Sequence, residues 1–136
     1  MTKEIISPPG MSEPPAPYAR AIKVPAKGQL VFLSGVVSSD DENNLIYGHD
    51  ILLQTRQTVK NLIAILAAAG AKPADVVKTT TFIDSNAMKE FFNTQAFREA
   101  LTPFNRPCDS LIGVSSLVAS DQGQLIEIEA IAVIND

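Results

Sequence analysis

The segment from Leu125 to Ile134 constrains this chain more than any other, because it alternates with a period of two and reads as a strand with unequal faces. Ile126, Ile128, Ala130, Ala132 and Ile134 share one apolar face, which is expected to meet helices. Leu125, Glu127, Glu129, Ile131 and Val133 share the other. A face that mixes carboxylates with apolar residues suits neither open water nor a dry core. A partly buried subunit interface with a polar pocket explains it better.

The remaining elements follow from local patterns. Ser7-Pro8-Pro9 through Pro14-Pro15-Ala16-Pro17 reads as an extended lead-in, since proline fixes φ and supplies no amide donor. A short strand is expected over Tyr18 to Val24. After a turn at Gly28, Leu30 to Gly35 reads as a buried second strand of a hairpin. The cluster Asp40 to Asn44 is a polar loop. From Asp50 to Ala69 the residues Ile51, Leu52, Thr55, Val59, Leu62, Ile63 and Leu66 recur at helical spacing, with Gly70 at the left-handed stop and Pro73 beyond it. Asp75 to Ile83 is rich in β-branched residues and reads as a strand. A second helix is expected over Asn86 to Leu101, burying Met88, Phe92, Ala96 and Phe97. Strands over Ser110 to Leu117 and Leu125 to Ile134 close an α+β arrangement, with both helices on one sheet face.

The 136-residue length predicts one domain, 1–136, with 1–17 as the lead-in. No apolar run approaches the roughly 20 residues of a membrane span, and Met1-Thr2-Lys3-Glu4 lacks the pattern of a signal peptide. Cys108 is the one cysteine, which excludes an internal disulfide and makes a cytoplasmic location the default. One histidine and one cysteine cannot make a zinc site within a protomer. The formal charge of −4, without a basic patch interleaved with aromatics, argues against nucleic-acid partners.

Arg106-Pro107-Cys108-Asp109-Ser110, running on to Val114, Leu117 and Ile126-Glu127-Ile128-Glu129-Ala130, resembles the signature of the Rid (YjgF-type) reactive intermediate deaminases. Further stretches resemble the same family in the same order: Pro17-Tyr18-Ala19-Arg20-Ala21, Val31 to Gly35, Asp50 to Leu62, and Val76 to Thr80. The resemblance implies a chorismate-mutase-like protomer, a homotrimer with clefts between neighbouring subunits, no cofactor and no metal, and hydrolysis of small enamines and imines. It matches Tyr18 to a pocket-lining tyrosine and Glu127 to a glutamate that positions the attacking water. It puts Gly35 on a cleft-lining strand and Asn93 at a polar helix position; Arg106 and Cys108, close to Asp109 in sequence, are further candidate substrate-binding residues.

Asp109 falls where the family carries an arginine that grips a substrate carboxylate. Losing that charge-assisted hydrogen bond costs ~1.5–3 kcal/mol. A carboxylate about 4 Å from the substrate's adds repulsion of order 4 kcal/mol at an effective dielectric near 20. Together these weaken a usual 2-imino acid by roughly four orders of magnitude. Arg106 can substitute only from a bulge or loop, because three residues along a regular strand it points to the opposite face. Alternatively Asp109 is a turn residue after Pro107. Without the resemblance, Glu127 reads equally well as a structural carboxylate, Tyr18 as a packing residue, Cys108 as a small hydrophobe and His49 as a cap or solvent residue.

Two functions fit. One is an enzyme acting on a C=N or enamine bond in a small metabolite other than the usual 2-imino acids. The other is a non-catalytic small-molecule binder or regulator that keeps the trimer. A ribonuclease or translation inhibitor fits the charge less well.

Overall fold

The computed structural model describes residues 3–25 and 27–135. Six strands and three α-helices follow in the order β1 (Glu4–Ile6), β2 (Ala21–Lys23), β3 (Gln29–Val36), α1 (Ile51–Ala68), β4 (Val76–Asp84), α2 (Met88–Asn93), α3 (Ala96–Glu99), β5 (Cys108–Val114) and β6 (Ile126–Ile134). They form a mixed α/β fold. β1 and β2 make a two-stranded antiparallel ribbon, and the main sheet has the order β3-β6-β4-β5. β6 runs antiparallel to both neighbours, whereas β4 and β5 are parallel.

This order explains where the helices go. β3 to β4 and β4 to β5 are both crossovers between parallel strands, and both step across the sheet in the same direction. Right-handed crossovers in one direction put their helices on one face. Accordingly Leu33, Ile83, Ile126, Ile128, Ala130 and Ala132 of the sheet share one core cluster with Ile51, Leu62 and Leu66 of α1 and Phe91 and Ala96 beyond β4. The inward face of β6 is the apolar one read from its alternation.

α1 begins where the stripe predicts. Asp50 caps it, its carboxylate accepting the Leu53 amide at 2.9 Å. At the other end Gly70 has φ +82°, and the Ala71 and Gly70 amides donate to the Leu66 and Ala67 carbonyls at 2.8 and 3.0 Å, a Schellman closure. Arg56 of α1 pairs with both carboxylate oxygens of Glu99 of α3, at 2.7 and 3.0 Å.

Four expectations need correcting. β3 does not pair with the strand around Tyr18. It takes β6, while β2 pairs with a strand inside the lead-in, β1. Nor is β3 buried throughout: Leu30 and Phe32 are 63% and 70% exposed, because helices cover only the other face. The second helix is broken at Thr94, which is extended and whose hydroxyl accepts the Ala96 amide at 3.2 Å. With that break Phe91 turns inward and Phe92 stays half exposed, the reverse of the expected packing. Among the described residues, no helix is long and apolar enough to cross a membrane.

Candidate functional site

The chain enters β5 through a tight turn. Asn105 and Arg106 are left-handed, with φ of 52° and 58°, and Pro107 behind them is buried. Arg106 therefore lies in a loop and not in a regular strand. Its guanidinium donates to Glu13 in the lead-in at 2.9 Å. The Ala19 amide donates to the Pro107 carbonyl at 3.0 Å, and this bond sets Tyr18 beside the start of β5.

Asp109, two residues beyond Pro107, is held from the neighbouring strand. The hydroxyls of Thr79 and Thr81 both donate to its Oδ1, at 2.7 and 2.9 Å. Burial pushes its carboxyl above the ordinary value, more strongly than the two threonine hydrogen bonds and Lys78 pull it down. Thr79 and Thr81 pair with Ala130 and Ile128 of β6, so their side chains, and Asp109 with them, belong to the helix-covered face.

Two hollows open beside Asp109, and it lines both together with Tyr18. One, of about 550 Å³, is walled by Pro15, Ala16, Phe92, Phe97 and Leu111. The other, of about 580 Å³, is walled by Met11, Lys78, Cys108 and Ser110 among others. Burial pushes the Cys108 thiol up, the opposite direction to that of an activated thiolate. Asn93 is exposed at the end of α2 and lines neither hollow.

Glu127 and Gly35 come together elsewhere. Glu127 pairs with Phe82, and residues of that register point to the uncovered face. Its carboxylate lies over Gly35, where a Cβ would sit 2.7 Å from the Glu127 Cδ. Gln124 Nε2 approaches Glu127 Oε1 at 3.4 Å. Within one chain, then, Tyr18 and Asp109 form one cluster, Gly35 and Glu127 a second, and the sheet separates them. Among the described residues no group of three His, Cys, Asp or Glu side chains could hold a metal ion.

The sequence reading missed several residues here. Thr79 and Thr81 hold Asp109, and a signal existed: two threonines spaced i, i+2 put hydroxyls on the otherwise apolar face of β4. Phe97 packs against the core as expected and also walls a hollow, whereas Phe92 is half exposed and walls it from outside the core. Gln54, fully buried, donates to the Tyr47 and Gly123 carbonyls at 3.0 and 2.8 Å and accepts the Leu125 amide at 2.9 Å, which fixes the entry to β6. No local pattern announces that clamp.

A four-stranded sheet with helices on one face, an uncovered mixed face and hollows along its β5 edge defines a mixed α/β class. The chain belongs to the Endoribonuclease L-PSP family, the Rid/YjgF/RutC/UK114 proteins, whose pattern matches residues 10–134. It is 36% identical over 136 residues to a RutC family protein of Pyrococcus abyssi, covering 97% of this chain and 98% of that one. It is 34% identical over 140 residues to the 2-iminobutanoate/2-iminopropanoate deaminase of Dermatophagoides farinae, covering 97% of each. Among solved structures it is similar to YyfB, a Rid family protein of unknown function from Yersinia pestis, with a TM-score of 0.84, 30% identity and coverage of 98% and 100%.

Proposed function

We propose that the protein is a Rid-type hydrolase of small imines and enamines, assembled as a homo-oligomer whose cleft is shared between copies. The observation that carries this reading is the separation of Tyr18 and Asp109 from Gly35 and Glu127 by the sheet. A second copy seated on the uncovered face would bring its own cluster to the first. Exposed Leu30 and Phe32 on that face are apolar surface that a partner would cover. The family's deaminases supply the chemistry by likeness.

A protonated imine is already electrophilic, so the protein need only hold it and position water. Glu127 takes a proton as the water oxygen bonds to the C=N carbon. The resulting carbinolamine then expels its nitrogen as ammonia and leaves a carbonyl. Asp109 stands at the position of the carboxylate-gripping arginine, so usual 2-imino acids are poor substrates. The same inversion is the observation that favours a non-catalytic binder as the second reading.

The test is hydrolysis of imines generated in situ from neutral, acidic and basic amino acids, read by semicarbazide competition, on the native protein and on Asp109→Arg. Turnover by either, abolished by Glu127→Gln, supports the hydrolase. Silence from both in folded protein leaves the binder. A stable monomer by size-exclusion mass would sink the shared cleft.

A further inference from the structure

We infer that the hollow between Tyr18, Phe92, Phe97 and Asp109 binds the cationic group of a small amine or iminium compound that carries no carboxylate beside it. The inference deepens the hydrolase reading by naming its substrate class, and rests on that reading for the chemistry though not for the binding.

Asp109 is held through one oxygen only. Both threonine hydroxyls donate to Oδ1, and Oδ2 makes no hydrogen bond among the described residues. One oxygen is thus fixed in place and the other remains available to a donor in the hollow.

Among the described residues no nearby cation hydrogen-bonds to Asp109. Arg106 is paired with Glu13 at 2.9 Å. Arg20 donates through Nε and Nη2 to the Ser12 carbonyl at 3.1 and 2.8 Å. Lys78 donates to Ser110 Oγ and the Thr79 carbonyl, both at 3.0 Å. Among the described residues Asp109 has no ion pair. Lys78 pulls the Asp109 carboxyl down less strongly than burial pushes it up, so the charged form stays costly and a ligand cation offsets that cost.

The walls suit the same ligand. The Phe92 and Phe97 rings lie 4.7 Å apart at a tilt of 57°, with Tyr18 also lining the hollow. Aromatic faces attract an ammonium or iminium and repel a carboxylate. They also give Phe92, half exposed, an apolar body to cover. A hollow of about 550 Å³ falls within the ordinary range for small ligands. An α-carboxylate would meet Asp109 as a like charge.

The experiment is calorimetric titration of the full chain, in its native assembly at neutral pH, with benzylammonium chloride and with sodium benzoate. Benzylammonium should bind at least about tenfold more tightly than benzoate, and Asp109→Asn should erase that preference. The side-chain amide keeps an acceptor for both threonines, and a melting curve shows whether the variant is folded. Equal or tighter benzoate binding, or an unchanged preference in folded Asp109→Asn, would overturn the inference. Benzylammonium binding by a protein that hydrolyses no imine would leave this site standing and remove the hydrolase. Imine hydrolysis with a benzoate preference would do the reverse.

Discussion

The carboxylate of Glu127 occupies the space that a side chain at Gly35 would need. The ladder between β3 and β6 breaks register between Leu33 and Val36, and irregularities of this kind re-aim side chains beside functional sites. A Cβ at position 35 would meet Glu127 Cδ at 2.7 Å. The obstruction runs back to Glu127 Cγ at 2.9 Å, so the flexible Glu127 side chain must change rotamer to clear it. Gly35→Ala should therefore change stability by less than about 1 kcal/mol. Imine hydrolysis should nevertheless fall at least about tenfold, because a misplaced base loses its alignment with water. Melting curves and kcat/KM on one preparation check both halves.

Asp109→Asn should make the protein more stable at neutral pH. The folded-state pKa of Asp109 is raised, chiefly by burial, so in the window above the unfolded value the folded chain holds more protons than the unfolded one. Stability then falls as pH rises through that window. The variant lacks this penalty. Its advantage in Tm should be present at pH 7 and vanish at acid pH, where the native carboxyl is protonated in both states. A variant that melts below the native protein at pH 7 contradicts the assignment.

Thr58→Val should stabilise α1. The Thr58 hydroxyl is buried with no hydrogen-bond partner among the described residues. An unpaired buried hydroxyl costs ~1–3 kcal/mol, and valine has nearly the same shape. A gain of about 1 kcal/mol in chemical denaturation is expected, with the m-value unchanged.

Gln54→Leu should be the most damaging of these changes. It leaves the Leu125 amide without its buried partner, while the Gly123 and Tyr47 carbonyls keep the His49 and Asp50 amides. A loss of about 1–3 kcal/mol is expected from that one unpaired amide. Hydrogen exchange at Leu125 should accelerate before the sheet as a whole opens.

The local elements were legible because each is written in a short window. The stripe from Ile51 to Leu66, the Asp50 cap and the Gly70 stop define α1 without reference to the rest of the chain. The alternation from Ile126 to Ile134 likewise names its own inward face. The candidate site was only half legible: the structure sets Tyr18 beside Asp109 and Gly35 beside Glu127, while Asn93 lines neither hollow and Arg106 is paired with Glu13.

What only the tertiary structure decided is which strands neighbour one another and which side of the sheet each site residue takes. Periodicity says that a strand has two faces and is silent about its partners, so β1 pairing with β2, and β6 lying between β3 and β4, could not be read from it. A one-residue difference in register exchanges the faces of a whole strand. Asp109 and Glu127 therefore fall on opposite sides of the sheet through the register of β5 and β6 against β4, a property of long-range pairing that no window of sequence contains.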